Sequence, residues 1–305
     1  MGDISLDLVR VTEAAAIAAS SWIGSGNKEA ADKAATKAMR ERLNQMEFSA
    51  RIVIGEGKKD KSDGLFAGEM VGKLAKMEKV YYDLALDPID GTRPTVTSGP
   101  EAMSVIAVAD EGSLFSTAEF YMNKLAYGPE IAKKIELHLT DPLSRTIKLV
   151  SATTGKDISK IMVCLLDRPR HEKLIKDLHG IGVRIKLIQD CDISGAIACC
   201  LADSGIDLLC GIGGAPEGVI TACAMKCLKG GFQAQVVKAD GTPVDNKVYC
   251  MEDLVHGPCG FAATGVTNGS LLRGVRFTSQ GAVTNSVFMR SESGTVRWLT
   301  VYHGN

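Results

Sequence analysis

The spacing of apolar and polar positions divides the chain into helix-like and strand-like stretches. Residues 4–22 are rich in alanine, mixed with charges and free of proline, which predicts a helix. Gly24-Ser25-Gly26 ends it, and Asn27 is placed to cap a second helix through Lys28, Asp32, Met39 and Leu43. Arg51-Ile52-Val53-Ile54 is a short β-branched run that leads into Gly55-Glu56-Gly57, a strand entering a loop. A helix is expected over about residues 65–74, followed by a strand over 80–86 that delivers Asp87. Residues 103–110 and 114–121 also read as strands.

Past Lys160 the pattern changes. Strand-like runs at 161–166, 183–188 and 206–212 alternate with helix-like segments at 171–178, 193–201 and 216–228. That alternation marks an α/β fold, in which ligands are expected at the carboxyl ends of the strands. The tail from 260 to 301 reads as further short strands. The expected organisation is two halves sharing a cleft: 1–160, an α+β half that binds metal, and 161–305, an α/β half that binds substrate. No low-complexity tract, repeat or flexible linker interrupts them.

Composition narrows the classes. A formal net charge of −1 gives no basic field for nucleic acid or a membrane surface, so neither is an expected partner. The nine cysteines all fall between Cys164 and Cys259, mostly in apolar runs such as Ala198-Cys199-Cys200-Leu201, and form no paired C-x-x-C zinc pattern. They fit a reducing cytoplasm. Asp3, Asp7, Arg10 and Glu13 leave no apolar signal core near the start, and no uncharged apolar run reaches the ~18 residues of a spanning helix.

The chemistry concentrates at strand ends. Asp87-Pro88-Ile89-Asp90-Gly91-Thr92 places two carboxylates and a hydroxyl on one turn, a donor set suited to a hard cation such as Mg²⁺. The alternative is an Asx turn in which both aspartates bond only local backbone. Glu56 is a second candidate ligand or a solvated loop charge, and Asp32 is either a ligand or an ordinary i,i+4 partner of Lys28. In Gly211-Ile212-Gly213-Gly214-Ala215-Pro216-Glu217-Gly218 a strand enters a glycine loop and a helix start, where bare N–H groups favour an anion. Glu217 there is a metal ligand or complements the helix dipole. The glycines do not fit G-x-G-x-x-G, so a dinucleotide is not expected. Arg168 and Arg170, read as extended, face the same way and can clamp a phosphate, or are solvated. Asp190 and Asp192 accept sugar hydroxyls, or Asp192 caps the next helix; Tyr121 offers a phenol or packs. None of the five histidines is assigned to catalysis.

Taken in order, Ile54-Gly55-Glu56-Gly57, Asp87 through Thr92, Arg168-Pro169-Arg170-His171, Asp190-Cys191-Asp192 and Gly211 through Gly218 resemble the motifs of class II fructose-1,6-bisphosphatases. These belong to the lithium-sensitive phosphatases, which also include inositol monophosphatases. The resemblance covers nearly the whole chain, including Lys28-x-x-x-Asp32. It implies a layered α-β-α-β-α sugar-phosphatase fold, hydrolysis of the 1-phosphate of fructose 1,6-bisphosphate in gluconeogenesis, dependence on Mg²⁺ or Mn²⁺, and a homodimer or homotetramer. It implies metal on Asp32, Glu56, Asp87, Asp90 and Glu217, and substrate on Lys28, Asp90, Gly91, Thr92, Tyr121, Arg168, Arg170, Asp190, Asp192 and Gly214. Thr92, Asp87 and Glu56 would carry catalysis. The chain departs from the family at Asp90, where Glu is common, and at the lysine-rich run 58–63, which is usually acidic. It also looks shorter between Val236 and Val255. Alternatives are sedoheptulose 1,7-bisphosphate as substrate, alone or in addition, an inositol phosphate, or a non-catalytic sugar-phosphate sensor.

Overall fold

The computed structural model describes residues 4–56, 64–77, 80–116 and 121–304. Gly57 and the lysine-rich run 58–63 therefore lie outside the described residues. The chain forms two compact units, Met1–Ser116 with Val255–Asn305, and Thr117–Leu254. Residue 160, where the sequence suggested a boundary, falls inside the second unit, because the chain returns to the first at Val255. Helices and two mixed sheets give the expected α/β class.

In the first unit, α1 (Ser5–Ser20) and α2 (Lys28–Leu43) cover a sheet. Helix α2 buries Ala31, Ala35, Met39 and Leu43, one stripe at four-residue spacing, and the Asn27 side chain accepts from Ala30 N as its cap. The strands are β1 (Ala50–Ile54), β2 (Met70–Val71), β3 (Tyr82–Asp90) and β4 (Met103–Asp110). The chain's last strands complete the sheet and are numbered below. Nearly every residue of β4 is buried, as a strand covered on both faces requires.

The helix expected over 65–74 does not form. Met70 and Val71 instead pair antiparallel with Arg51 and Ala50. Gly68 and Gly72 lie at φ 94° and 103°, outside helical space, and a Cβ on Gly72 would sit 2.1 Å from Phe48 O. The strand expected over 114–121 is also displaced. Leu114 makes an isolated bridge to Val255, residues 117–120 lie outside the described set, and the ladder starts at Tyr121.

The second unit holds β5 (Tyr121–Tyr127), β6 (Met162–Leu166), β7 (Arg184–Ile188), β8 (Leu208–Gly214), β9 (Gly231–Val237) and β10 (Tyr249–Cys250), in sheet order β10-β9-β5-β8-β6-β7. Two helices precede β6, α4 (Pro129–Ala132) and α5 (Leu143–Thr154). The strand–helix alternation appears as expected, with α6 (Glu172–Ile181), α7 (Asp192–Ala198) and α8 (Ala215–Leu228) following β6, β7 and β8. A short α9 (Met251–Leu254) ends the unit.

The tail returns to the first sheet as β11 (Cys259–Gly265), β12 (Arg276–Thr278), β13 (Gly281–Arg290) and β14 (Thr295–Gly304). The order is β12-β13-β11-β4-β3-β1-β2, with β14 on β13. β13 and β14 pair over ten residues each, a longer hairpin than the short strands read from the sequence. Among the described residues, no helix is long and apolar enough to cross a membrane.

Candidate functional site

The candidate residues form one group in each unit. In the first, β1 and β3 run parallel with Ile54 beside Ala85, so Glu56 and Asp87, each two residues further on, leave the same end of the sheet. Strand β3 continues through Pro88, which lacks the N–H a regular ladder uses. The pairing with β4 accordingly jumps from Asp87↔Val105 to Asp90↔Met103, three residues against two, so a bulge re-aims the two aspartates. Asp87 Oδ1 accepts from Ile89 N at 2.9 Å, so the local turn foreseen as the alternative is present. Asp90 is buried. Gly91 precedes α3 (Thr92–Thr97) and Thr92 is its first residue.

Thr92 Oγ1 donates to Asp32 Oδ1 at 2.8 Å. This bond brings together two site residues sixty positions apart in sequence. Lys28, at the start of α2, is exposed, and among the described residues it forms no ion pair with Asp32. Among those residues no three His, Cys, Asp or Glu side chains are grouped tightly enough to enclose a cation.

In the second unit β8 passes directly into α8, with Gly214 extended at the junction and Pro216 and Glu217 in the first turn. Glu217 folds back over that junction: a Cβ on Gly214 would lie 1.9 Å from Glu217 Oε2. That oxygen is buried and, among the described residues, receives no hydrogen bond. Burial pushes the Glu217 carboxyl above the usual range; nearby Lys124 opposes the shift, and Asp192 and Asp190 add to it. A hard, buried oxygen without a donor fits a divalent cation, and so do the carboxylates of the first unit by their chemistry.

The arginine pair differs from its expected form. Arg168 is extended, but Pro169–His171 is a 3₁₀ turn, because Pro169 fixes φ at a helix start. The two guanidiniums have different partners. Arg168 donates to Asp190, whose second oxygen is buried and has no donor among the described residues. Arg170 donates through Nε and Nη2 to Ile212 O, at 3.1 and 2.7 Å, and lies 5.3 Å from the centre of the Tyr121 ring. His171 takes the other side of the same residue: Ile212 N donates to Nε2 at 2.8 Å, and Nδ1 donates to Leu166 O at 2.7 Å. Since a carbonyl can only accept and an amide can only donate, these bonds select the neutral Nδ1–H tautomer. Burial lowers the His171 pKa, as that tautomer requires. The pairing of β6 with β8 ends at Leu209, so Arg170 and His171 serve the Ile212 peptide where the ladder stops.

Asp192 is not a helix cap. Cys191 occupies that position at φ 66°, and Asp192, the first residue of α7, turns inward to Lys124 Nζ at 2.7 Å. Lys124 is completely buried and was not singled out from the sequence. The available signal was its phase, in step with buried Met122 and Ala126 on an alternating strand.

Known proteins agree with the resemblance. Residues 2–303 match the family described as bacterial fructose-1,6-bisphosphatase, glpX-encoded. A protein of Microcystis aeruginosa named D-fructose 1,6-bisphosphatase class 2/sedoheptulose 1,7-bisphosphatase is 38% identical, covering 98% of this chain and 96% of that protein. Identically named proteins of Synechocystis sp. and Crocosphaera subtropica are 38% and 36% identical over the same shares.

Proposed function

The chain belongs to the bacterial, class II fructose-1,6-bisphosphatase family, a family of phosphoric monoester hydrolases, and we propose that it removes the 1-phosphate of fructose 1,6-bisphosphate. The observation that carries the mechanism is the Thr92–Asp32 hydrogen bond beside the Asp87–Asp90 strand end. With its own proton directed to Asp32, the Thr92 oxygen keeps a lone pair for a water molecule. That water attacks phosphorus and forms the new P–O bond. The ester P–O bond breaks, and the sugar oxygen leaves with the electron pair and takes a proton from solvent water. The proton lost by water passes to Thr92 Oγ1, as Thr92 yields its own toward Asp32. The products are fructose 6-phosphate and inorganic phosphate.

Asp32, Glu56, Asp87, Asp90 and Glu217 would hold Mg²⁺ or Mn²⁺. A divalent cation supplies positive charge against the phosphoryl oxygens and acidifies water. Lys28 and the peptide N–H groups after Asp90 would meet the transferring phosphate, through Gly91 and Thr92. Arg168, Arg170, Tyr121, Asp190, Asp192 and Gly214 would hold the sugar and its distal phosphate. The Arg170–Ile212 and Lys124–Asp192 bonds support that reading by fixing two of these side chains before substrate arrives.

The relatives' double name favours sedoheptulose 1,7-bisphosphate as a second substrate of the same chemistry. A homodimer or homotetramer in the cytoplasm completes the proposal, and the placement of most cysteines in apolar runs supports a reducing compartment. The test is phosphate release from both bisphosphates, a sugar monophosphate and an inositol phosphate, with Mg²⁺, Mn²⁺ and added Li⁺. Release from fructose 1,6-bisphosphate only with a divalent cation is expected; no release from either bisphosphate with any metal overturns the proposal.

A further inference from the structure

Glu69 lies outside every motif, yet it is a buried carboxylate with both oxygens engaged by different parts of the first unit. Oε1 accepts from Arg40 Nε on α2 at 2.6 Å. Oε2 accepts from the backbone N–H of Leu65. Leu65 is fully buried at φ 58°, left-handed space that a leucine enters only when its surroundings hold it there. Its carbonyl lies against Gly55: a Cβ there would be 2.1 Å from Leu65 O. The backbone of the same segment is tied to β1, with Ile52 N donating to Glu69 O at 2.9 Å and Gly68 N to Ile52 O at 2.7 Å.

Each end of this arrangement leads to a candidate metal ligand. Gly55, on which Leu65 rests, immediately precedes Glu56. Arg40 lies two turns beyond Asp32 on α2, and Asp32 is the residue that receives Thr92. We infer that Glu69 is a positioning residue for the metal site, its carboxylate bracing the helix of Asp32 against the strand end of Glu56 through Arg40 and the strained Leu65. The inference rests on the metal-binding reading above. Charge-assisted bonds to a guanidinium and to an amide are stronger and more directional than neutral ones, so one carboxylate can fix both elements. Partners of this kind behind a ligand set typically change metal affinity by about 10–100-fold when removed.

The experiment measures Mn²⁺ binding to the full chain by electron paramagnetic resonance and calorimetry, without substrate, alongside thermal unfolding. Glu69→Gln keeps the shape and an acceptor for Leu65 N but presents an amide to Arg40. Its Mn²⁺ affinity should fall by about tenfold or more, and the Mn²⁺ concentration for half-maximal activity should rise in parallel, with kcat largely recovered at saturating Mn²⁺. Arg40→Met removes the helix-side contact while leaving Glu69 on Leu65 N and should weaken binding by a smaller factor, which covers the case in which Glu69→Gln does not fold. Unchanged Mn²⁺ affinity in a folded variant overturns the inference, even if the unfolding temperature drops. Failure of the wild-type chain to bind Mn²⁺ would instead refute the metal-binding reading.

Discussion

Lys124 Nζ lies 2.7 Å from Asp192 Oδ2, with both side chains closed off from solvent in the second unit. Neither charge would tolerate that position alone. Breaking a buried pair leaves an uncompensated ion, so Lys124→Met should cost about 3–5 kcal/mol. Replacing both partners with apolar residues of similar volume should recover most of that loss. Urea unfolding of Lys124→Met and of Lys124→Met/Asp192→Leu checks this; equal stability of the two variants would show that the charge is not the cause.

Thr92→Ala should lower kcat by about 10²-fold or more, the range for a positioned proton acceptor. Mn²⁺ binding should stay within a few-fold of wild type, and Thr92→Ser should retain most of the rate. Single-turnover measurements at saturating metal isolate the step. Near-normal turnover in Thr92→Ala would remove Thr92 from the chemistry.

Glu217 holds a buried oxygen with no donor among the described residues, and its raised carboxyl pKa marks what burial costs its charge. Glu217→Gln should therefore be at least as stable as wild type in metal-free buffer, yet gain less from Mn²⁺ than wild type does. Thermal unfolding with and without Mn²⁺ reads both effects. Asp87→Ala should abolish metal-dependent activity.

His171 gives a pH dependence whose sign follows from its bonds. Its folded-state pKa lies below the ordinary 6.5, so the unfolded chain binds the extra proton more readily. The contribution to stability is complete above about pH 6.5 and is lost as pH falls from there toward the folded-state value. Protonation would turn Nε2 into a donor facing the Ile212 N–H. Unfolding temperatures between about pH 7 and pH 5 should fall more steeply for wild type than for His171→Gln; parallel slopes would contradict the assignment.

The sequence displays those parts of the protein whose cause is local. The α2 stripe, the Asn27 cap, the strand-to-helix passage at Gly214 and the Asp87–Thr92 turn all follow from residues within a few positions. Errors occur where distant partners decide. The 65–74 segment has helix-like composition but pairs with β1, and its glycines have a purpose only once Phe48 is alongside. A 3₁₀ turn at Pro169–His171 replaces the extended form read for Arg168–Arg170, and the Ile212 carbonyl that holds Arg170 stands 42 positions away. Lys124 and Glu69 are single charged residues in unremarkable stretches, and their partners stand 68 and 29 positions away.

The return of the chain at Val255 also shapes biosynthesis. Strand β4 pairs with β11, Met103 beside Gly265, so the first unit's sheet cannot close until the ribosome has made the second unit. The second unit comes from one uninterrupted stretch and can fold as it emerges. The amino-terminal helices and the Asp87–Thr92 turn must wait through that interval with much of their apolar surface uncovered. A nascent chain is thus most exposed to chaperones and proteases in the half that carries four of the five proposed metal ligands.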